Sequence, residues 1–183
     1  MGMDFNYLIH RTMAHLPYPD GKLRKSVLVL EANINRHVLG LMARNCTGVQ
    51  FRTRKITLTE HSSTWVVQMS GPDGTLYEVE IFKDSIGTST GKSSQFAGAT
   101  EADRFLLGVS FGAQWEPQAG RIRLLAETHD PWQTLVGQCK TKRYVLLESL
   151  GVSGVEADHV ITMTDIPHYF ALHGITVPCP TTS

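Results

Sequence analysis

The sequence carries no surplus of either charge. Its 17 Lys and Arg are matched by 17 Asp and Glu, so no overall field draws it toward nucleic acid, a membrane surface or acidic substrates. Cysteine is scarce: Cys46, Cys139 and Cys179 are too few and too scattered for a disulfide framework or a Cys-x-x-Cys metal site. Long apolar runs are missing, and none approaches a membrane span. The opening MGMDFNYLIH has neither the apolar stretch nor the cleavage pattern of a signal peptide, and Asn6 stands where a myristoylated chain needs Ser or Thr. These absences predict a cytoplasmic protein with no membrane partner and with nucleic acid disfavoured. A protein secreted without a signal would show the same features.

Internal repeats and linker-like stretches are absent as well, so the 183 residues read as one globular domain, 1–183, with a sizeable core. Periodicity supplies the expected elements. Phe5, Leu8, Ile9, Met13 and Leu16 recur at helical spacing after Asp4, a cap residue. Leu23, Val27, Leu30, Ile34, Val38 and Leu41 do the same, predicting a long helix from Lys22 to Asn45. The period then becomes two. Val49, Phe51 and Thr53 alternate, slip phase near Lys55 and resume at Ile56 and Leu58. Trp65, Val67 and Met69 make a second strand, and Tyr77, Val79 and Ile81 a third. The GPDGT turn at 71–75 makes those two antiparallel. Phe105 to Phe111 and Ile122 to Ala126 predict two more, joined by EPQAG at 116–120.

Asp130-Pro131 has the form of a helix start, an acid at the cap and proline in the first turn. Trp132, Leu135, Val136, Cys139, Leu146, Leu147 and Leu150 follow as an apolar stripe, closed by Gly151. A short strand over His159–Thr164, a short helix from Asp165 and a frayed tail at 176–183 complete the expectation. The predicted fold is α+β: a five-stranded antiparallel meander with two N-terminal helices and a long C-terminal helix packed on it.

GTSTGKSS at 87–94 has the look of a phosphate-binding loop. However, Gly87 and Gly91 are separated by three residues where the motif needs four, and Ile86 holds the place of the first glycine. The preceding strand belongs to an antiparallel hairpin, and no helical stripe follows to aim amides at a phosphate. Residues 84–100 therefore read as a flexible Gly/Ser/Thr-rich surface loop.

Eight histidines are the one compositional surplus. His168 and His173 are five apart, off the i, i+4 spacing that shares a metal. Cys139, the cysteine to test as a nucleophile, sits on an apolar stripe, where a thiol is buried and inert. GVSFG at 108–112 has the outline of a nucleophile elbow without its strand-to-helix turn. The reading is of no catalytic set, no metal and no cofactor. Its leading function is a non-catalytic intracellular module, chaperone-like or regulatory, that recognises a protein or peptide partner as a homodimer. The alternative is a small-molecule-binding protein or enzyme with a cavity between the sheet and the 130–151 helix. That cavity would be lined by His61, Arg123, His129 and His159.

Overall fold

The computed structural model describes residues 5–18, 20–88, 101, 111–128, 134–155, 160–163, 169–170 and 175–178. It divides into two units. The first comprises Met1–Thr53, Gly108–Asp130 and Pro167–Ser183, the second Arg54–Leu107 and Pro131–Ile166.

The chain opens on strands. β1 (Tyr7–Pro17) and β2 (Leu23–Ile34) form a long antiparallel hairpin. The Pro-rich segment expected to end a helix is its turn, in which the Tyr18 N–H donates to the Lys22 carbonyl at 3.0 Å and the Gly21 N–H to the Tyr18 carbonyl at 2.8 Å. β2 is buried on both faces: Ser26 and Val27 are buried, and so are Ala32, Asn33 and Ile34. A strand with apolar residues at both parities loses its period of two, and spacings of three and four can then be picked out of it. A register shift between His10 and Arg11 also resets the alternation in the hairpin. These two effects explain why both N-terminal helices were expected and neither forms.

Only the end of the second expected helix is helical. α1 (His37–Thr47) follows β2 and lies back on its sheet: a Cβ at Gly40 would stand 3.0 Å from Ile34 Cγ2 and 3.5 Å from Phe51 Cβ. β3 (Phe51–Thr53) then pairs parallel with β2. The phase slip near Lys55 is the passage into the second unit, where β4 (Lys55–Glu60) begins a different sheet. β4, β5 (Thr64–Gly71) and β6 (Gly74–Phe82) form the antiparallel run that the GPDGT turn predicts.

The chain reverses over 117–120 between β7 (Phe111–Glu116), which shares only Phe111 with the expected fourth strand, and β8 (Arg121–Thr128); both lie in the first unit's sheet, with β7 running parallel to β2. The long helix over 130–151 is not formed. Among the described residues of this span, β9 (Thr134–Gly137) and β10 (Cys139–Tyr144) occupy the larger part, and only α2 (Val145–Ser149) is helical. Two local facts favour strands. At Gly137 the missing side chain leaves room for Ile86, whose Cδ1 would have to move aside for a Cβ there. The basic run of β10 also meets the acidic face of β6: Lys140 stands opposite Glu80, Arg143 opposite Glu78, and Lys142 Nζ lies 3.0 Å from Glu80 Oε2. Next to them Tyr77 and Tyr144 meet edge-on at 5.1 Å. Burial, with Tyr144 and Cys139 adding to it, pushes the Tyr77 phenol up to about 12.

β11 (Val160–Met163) pairs with β9, while β12 (Tyr169–Phe170) and β13 (Ile175–Pro178) both pair with β8. The first unit's sheet therefore runs β1-β2-β7-β8-β12, with β3 on β2 and β13 on β8; the second unit holds β10-β6-β5-β4 and the separate pair β11-β9. The α+β meander with three helices is overturned in favour of several sheets, mixed in the first unit, with two helices among the described residues. Most of the expected loop (89–100), most of the expected fourth strand (102–110) and the start of the short helix (164–168) lie outside the described residues. No described helix is long and apolar enough to cross a membrane.

The first unit's core packs Leu16, Tyr18, Ala113, Ile122 and Leu124 together. With Leu124 only 2% exposed, Leu124→Ala should lower stability by about 2–5 kcal/mol, as measured by urea unfolding. A loss below about 1 kcal/mol would mean that this cluster is not the core.

Candidate functional site

The sheet of the first unit has two faces with different jobs. Ala32 and Ile34 face α1, as does Phe51, which stands opposite Ala32. Alternation puts Glu31 and Asn33 on the reverse face. Register then brings two more residues to them: His10 stands opposite Glu31 on β1, and Arg52 opposite Asn33 on β3. Side chains directly opposite on paired strands have Cβ atoms about 4.5–5.5 Å apart. Four groups from three strands thus share one patch.

Their electrostatics are graded from outside to inside. The Arg52 side chain is 65% exposed, and its Nη1 lies 3.5 Å from Oε2 of Glu31, which is 13% exposed. His10 is buried, and desolvation pulls its imidazole below the ordinary histidine range, with the charge of Glu31 opposing. Asn33 is fully buried, and neither its Nδ2 nor its Oδ1 has a hydrogen-bond partner among the described residues. An unsatisfied buried polar group costs about 1–3 kcal/mol, and such groups in native folds call for an explanation. The register puts this carboxamide on the same sheet face as the His10 imidazole, the Glu31 carboxylate and the Arg52 guanidinium.

None of these four was picked out from the sequence. Their signal is the pairing of Glu-Ala-Asn on β2 with His10, and it becomes visible only when the register is known. Of the residues that were picked out, Arg123 lies on β8 in the first unit. Its Nε donates to Glu116 Oε1 at 2.5 Å, while Arg121 Nε holds Glu116 Oε2 at 2.6 Å. Desolvation raises the Glu116 carboxyl, but the hydrogen bonds and charges of the two arginines outweigh it, and the net shift is downward.

His61 belongs to the second unit, where it is exposed in the turn between β4 and β5. Its N–H donates to the Thr64 carbonyl at 2.8 Å, and its own carbonyl accepts from Lys83 Nζ. His129 and His159 lie outside the described residues. The helix that was to roof their cavity is absent over 134–144. Among the described residues no group of three or more His, Cys, Asp or Glu is placed to share a metal.

Neither family models nor curated protein sequences match the chain. Solved structures do. Acetoacetate decarboxylase from Legionella pneumophila superposes with a TM-score of 0.60 at 12% identity, over 94% of this chain and 67% of that one. The chain has an acetoacetate decarboxylase-like fold. The enduracididine biosynthesis enzyme MppR gives a TM-score of 0.55 at 13% identity in its pyruvate complex, over 94% of this chain and 66% of that one. With the condensation product of pyruvate and imidazole 4-carboxaldehyde it gives 0.56 at 14%, over 93% and 66%. The chain spans about two thirds of the length of each, and at such identities the likeness is one of fold. That fold, found in these enzymes, overturns the non-catalytic protein- or peptide-binding module as the leading reading.

The buried imidazole generates a pH prediction. Its folded pKa is depressed below 6.5, so the unfolded chain takes up the proton first. Stability is complete above about pH 6.5 and declines as the pH falls toward the lowered folded value. Thermal midpoints followed from about pH 7.5 to 5 should show this decline, and His10→Gln should flatten it. An unchanged slope in the variant would place the titrating group elsewhere.

Proposed function

We propose that this chain is an enzyme that binds a small oxo acid on the His10–Glu31–Asn33–Arg52 face and works on the carbon next to its carbonyl. The observation that carries the reading is the buried carboxamide of Asn33, which has no hydrogen-bond partner among the described residues and stands opposite Arg52 in the register. The oxo acids named with two enzymes of this fold, acetoacetate and pyruvate, supply the substrate class.

Each group has a chemical role in this reading. The exposed Arg52 guanidinium is a planar fork that matches a carboxylate, and Glu31 steadies it from the inner side. The Asn33 Nδ2–H group is a fixed donor for the substrate carbonyl, whose oxygen gains charge as an enolate develops. Such preorganised donors are worth most in a water-excluded site. His10, held neutral by burial, is the group able to take up or return a proton near pH 7. The acid enters past Arg52, carboxylate outermost, and reaching Asn33 requires side chains of this patch to shift.

Carbonyl substrates can also be activated as imines of a deprotonated lysine. Lys83 has its Nζ engaged elsewhere: it lies 2.6 Å from Glu60 Oε1, bonds the His61 carbonyl and sits 5.3 Å from the centroid of the Trp65 ring. The cytoplasmic location and the homodimer are likewise proposals, the second to be checked by light scattering.

Titration calorimetry with pyruvate and acetoacetate, paired with an assay of carbon dioxide release, tests the reading. Arg52→Gln should weaken binding about tenfold or more, the worth of one charge-assisted hydrogen bond. Asn33→Leu should abolish turnover while holding stability or raising it by about 1–3 kcal/mol, because it removes an unsatisfied buried group. Borohydride treatment followed by intact mass reports any lysine imine directly. Binding of both acids unaltered in both variants would overturn the assignment of this face.

A further inference from the structure

The other face of the same sheet carries a second constellation. At the C-terminal end of α1, residues 44–48, Gln50 and Arg123 line a groove of ≈ 320 Å³, at the lower end of the range for small-molecule sites. Among the described residues its lining includes two arginines, Arg44 and Arg123, and no Asp or Glu.

The groove is built rather than incidental. Arg123 is clamped from one side by Glu116, whose charge is shared with Arg121, so this trio keeps a net charge of one positive unit. From another side the Arg123 guanidinium lies flat on Gly48, where an added Cβ would stand 2.6 Å from Cζ and from Nε. Gly48 is also in the left-handed region at φ 78°, so glycine is required there twice over. The wall beside it is tied down by the Gln50 N–H, which donates to Gln114 Oε1 at 2.8 Å. A helix C-terminus normally repels anions through its free carbonyls. Here the Gly48 N–H donates to the Arg44 carbonyl at 2.7 Å and the Thr47 hydroxyl to the Ala43 carbonyl at 2.7 Å, which blunts that end.

We infer that this groove is a second ligand site, separate from the Asn33 face, for a compact oxyanion carrying two or more negative charges. Two guanidinium forks on different elements, one pinned on β8 and one free to swing at the end of α1, suit two anionic groups of one small molecule. Di- and tricarboxylates and small phosphorylated acids share this chemistry. The inference does not depend on the oxo-acid reading, because the groove lies on the α1 face of the sheet.

Cys46 supplies the readout. It is an exposed free cysteine in the lining, and the half-buried Cys139 of the second unit serves as an internal control. The rate of iodoacetamide alkylation at each, mapped by peptide mass, is measured for the whole chain with citrate, with pyrophosphate and with chloride at matched ionic strength. Calorimetry with the same anions runs in parallel. Citrate or pyrophosphate should slow alkylation of Cys46 but not of Cys139. Arg44→Gln, an exposed substitution that leaves the Glu116 clamp intact, should weaken binding about tenfold.

Protection by citrate alone assigns a polycarboxylate, and protection by pyrophosphate alone a phosphorylated ligand. Arg52→Gln should leave anion binding unchanged, so failure of this site and failure of the oxo-acid site are read separately. No protection by either anion, or equal protection in Arg44→Gln, overturns the inference.

Discussion

The first unit depends on β2 being paired along both edges. On one edge it carries β1 over eleven register pairs; on the other it carries β7 along Val27–Val29 and then β3 along Ala32–Ile34. Both of those latter pairings are parallel. Parallel neighbours need crossover connections and bury both faces of the strand they flank. This is why the stretch Ala32–Ile34 of β2 is buried at successive residues, on both faces, and loses its alternation. Ala32 and Ile34 support α1. Glu31 and Asn33 are left to the opposite side, where the chain has placed polar groups in a position normally filled by valine or leucine.

That choice has an energetic signature. A buried Asn with neither carboxamide atom hydrogen-bonded among the described residues and a buried imidazole held below its ordinary pKa each subtract from stability. The partner strands do nothing to relieve Asn33: Leu8 stands opposite on one side and Arg52, largely in solvent, on the other. Polar groups left under strain in this way are more informative than satisfied ones, since packing alone would favour an apolar side chain. The groove behind the sheet is arranged differently: Glu116 clamps Arg121 and Arg123, and the Ala43 and Arg44 carbonyls at the end of α1 accept hydrogen bonds.

The second unit shows how charge can act as register information. Glu78 and Glu80 on β6, read singly, are a solvated face, and the basic run at 140–143, read singly, is another. Paired across β6 and β10 they are one interaction surface. An alternating acidic strand and a basic strand of similar length point to each other, and this reading would have recovered β10 from the sequence. The apolar stripe over 132–150 pointed to a helix because α2 and two short strands happen to space their leucines and valines compatibly with one.

The sequence by itself determined the local features. These are the hairpin turn at 71–75 with its strands, the reversal at 116–120 and the strand near 160. All of them rest on residues near one another in the chain, through the φ demands of glycine and proline or through strict alternation. Tertiary structure decided the rest. Whether 7–17 and 23–34 are helices or strands, and whether β7 follows β6 in one sheet or pairs with β2 in another, depends on strand partners distant in the chain, up to 27 residues away between β1 and β2 and 85 between β2 and β7. Hydrogen bonds to those partners outweigh the few tenths of a kcal/mol per residue that separate helical from extended preference. The site follows the same rule. His10, Glu31, Asn33 and Arg52 are ordinary polar residues in the sequence, and only strand register makes neighbours of them.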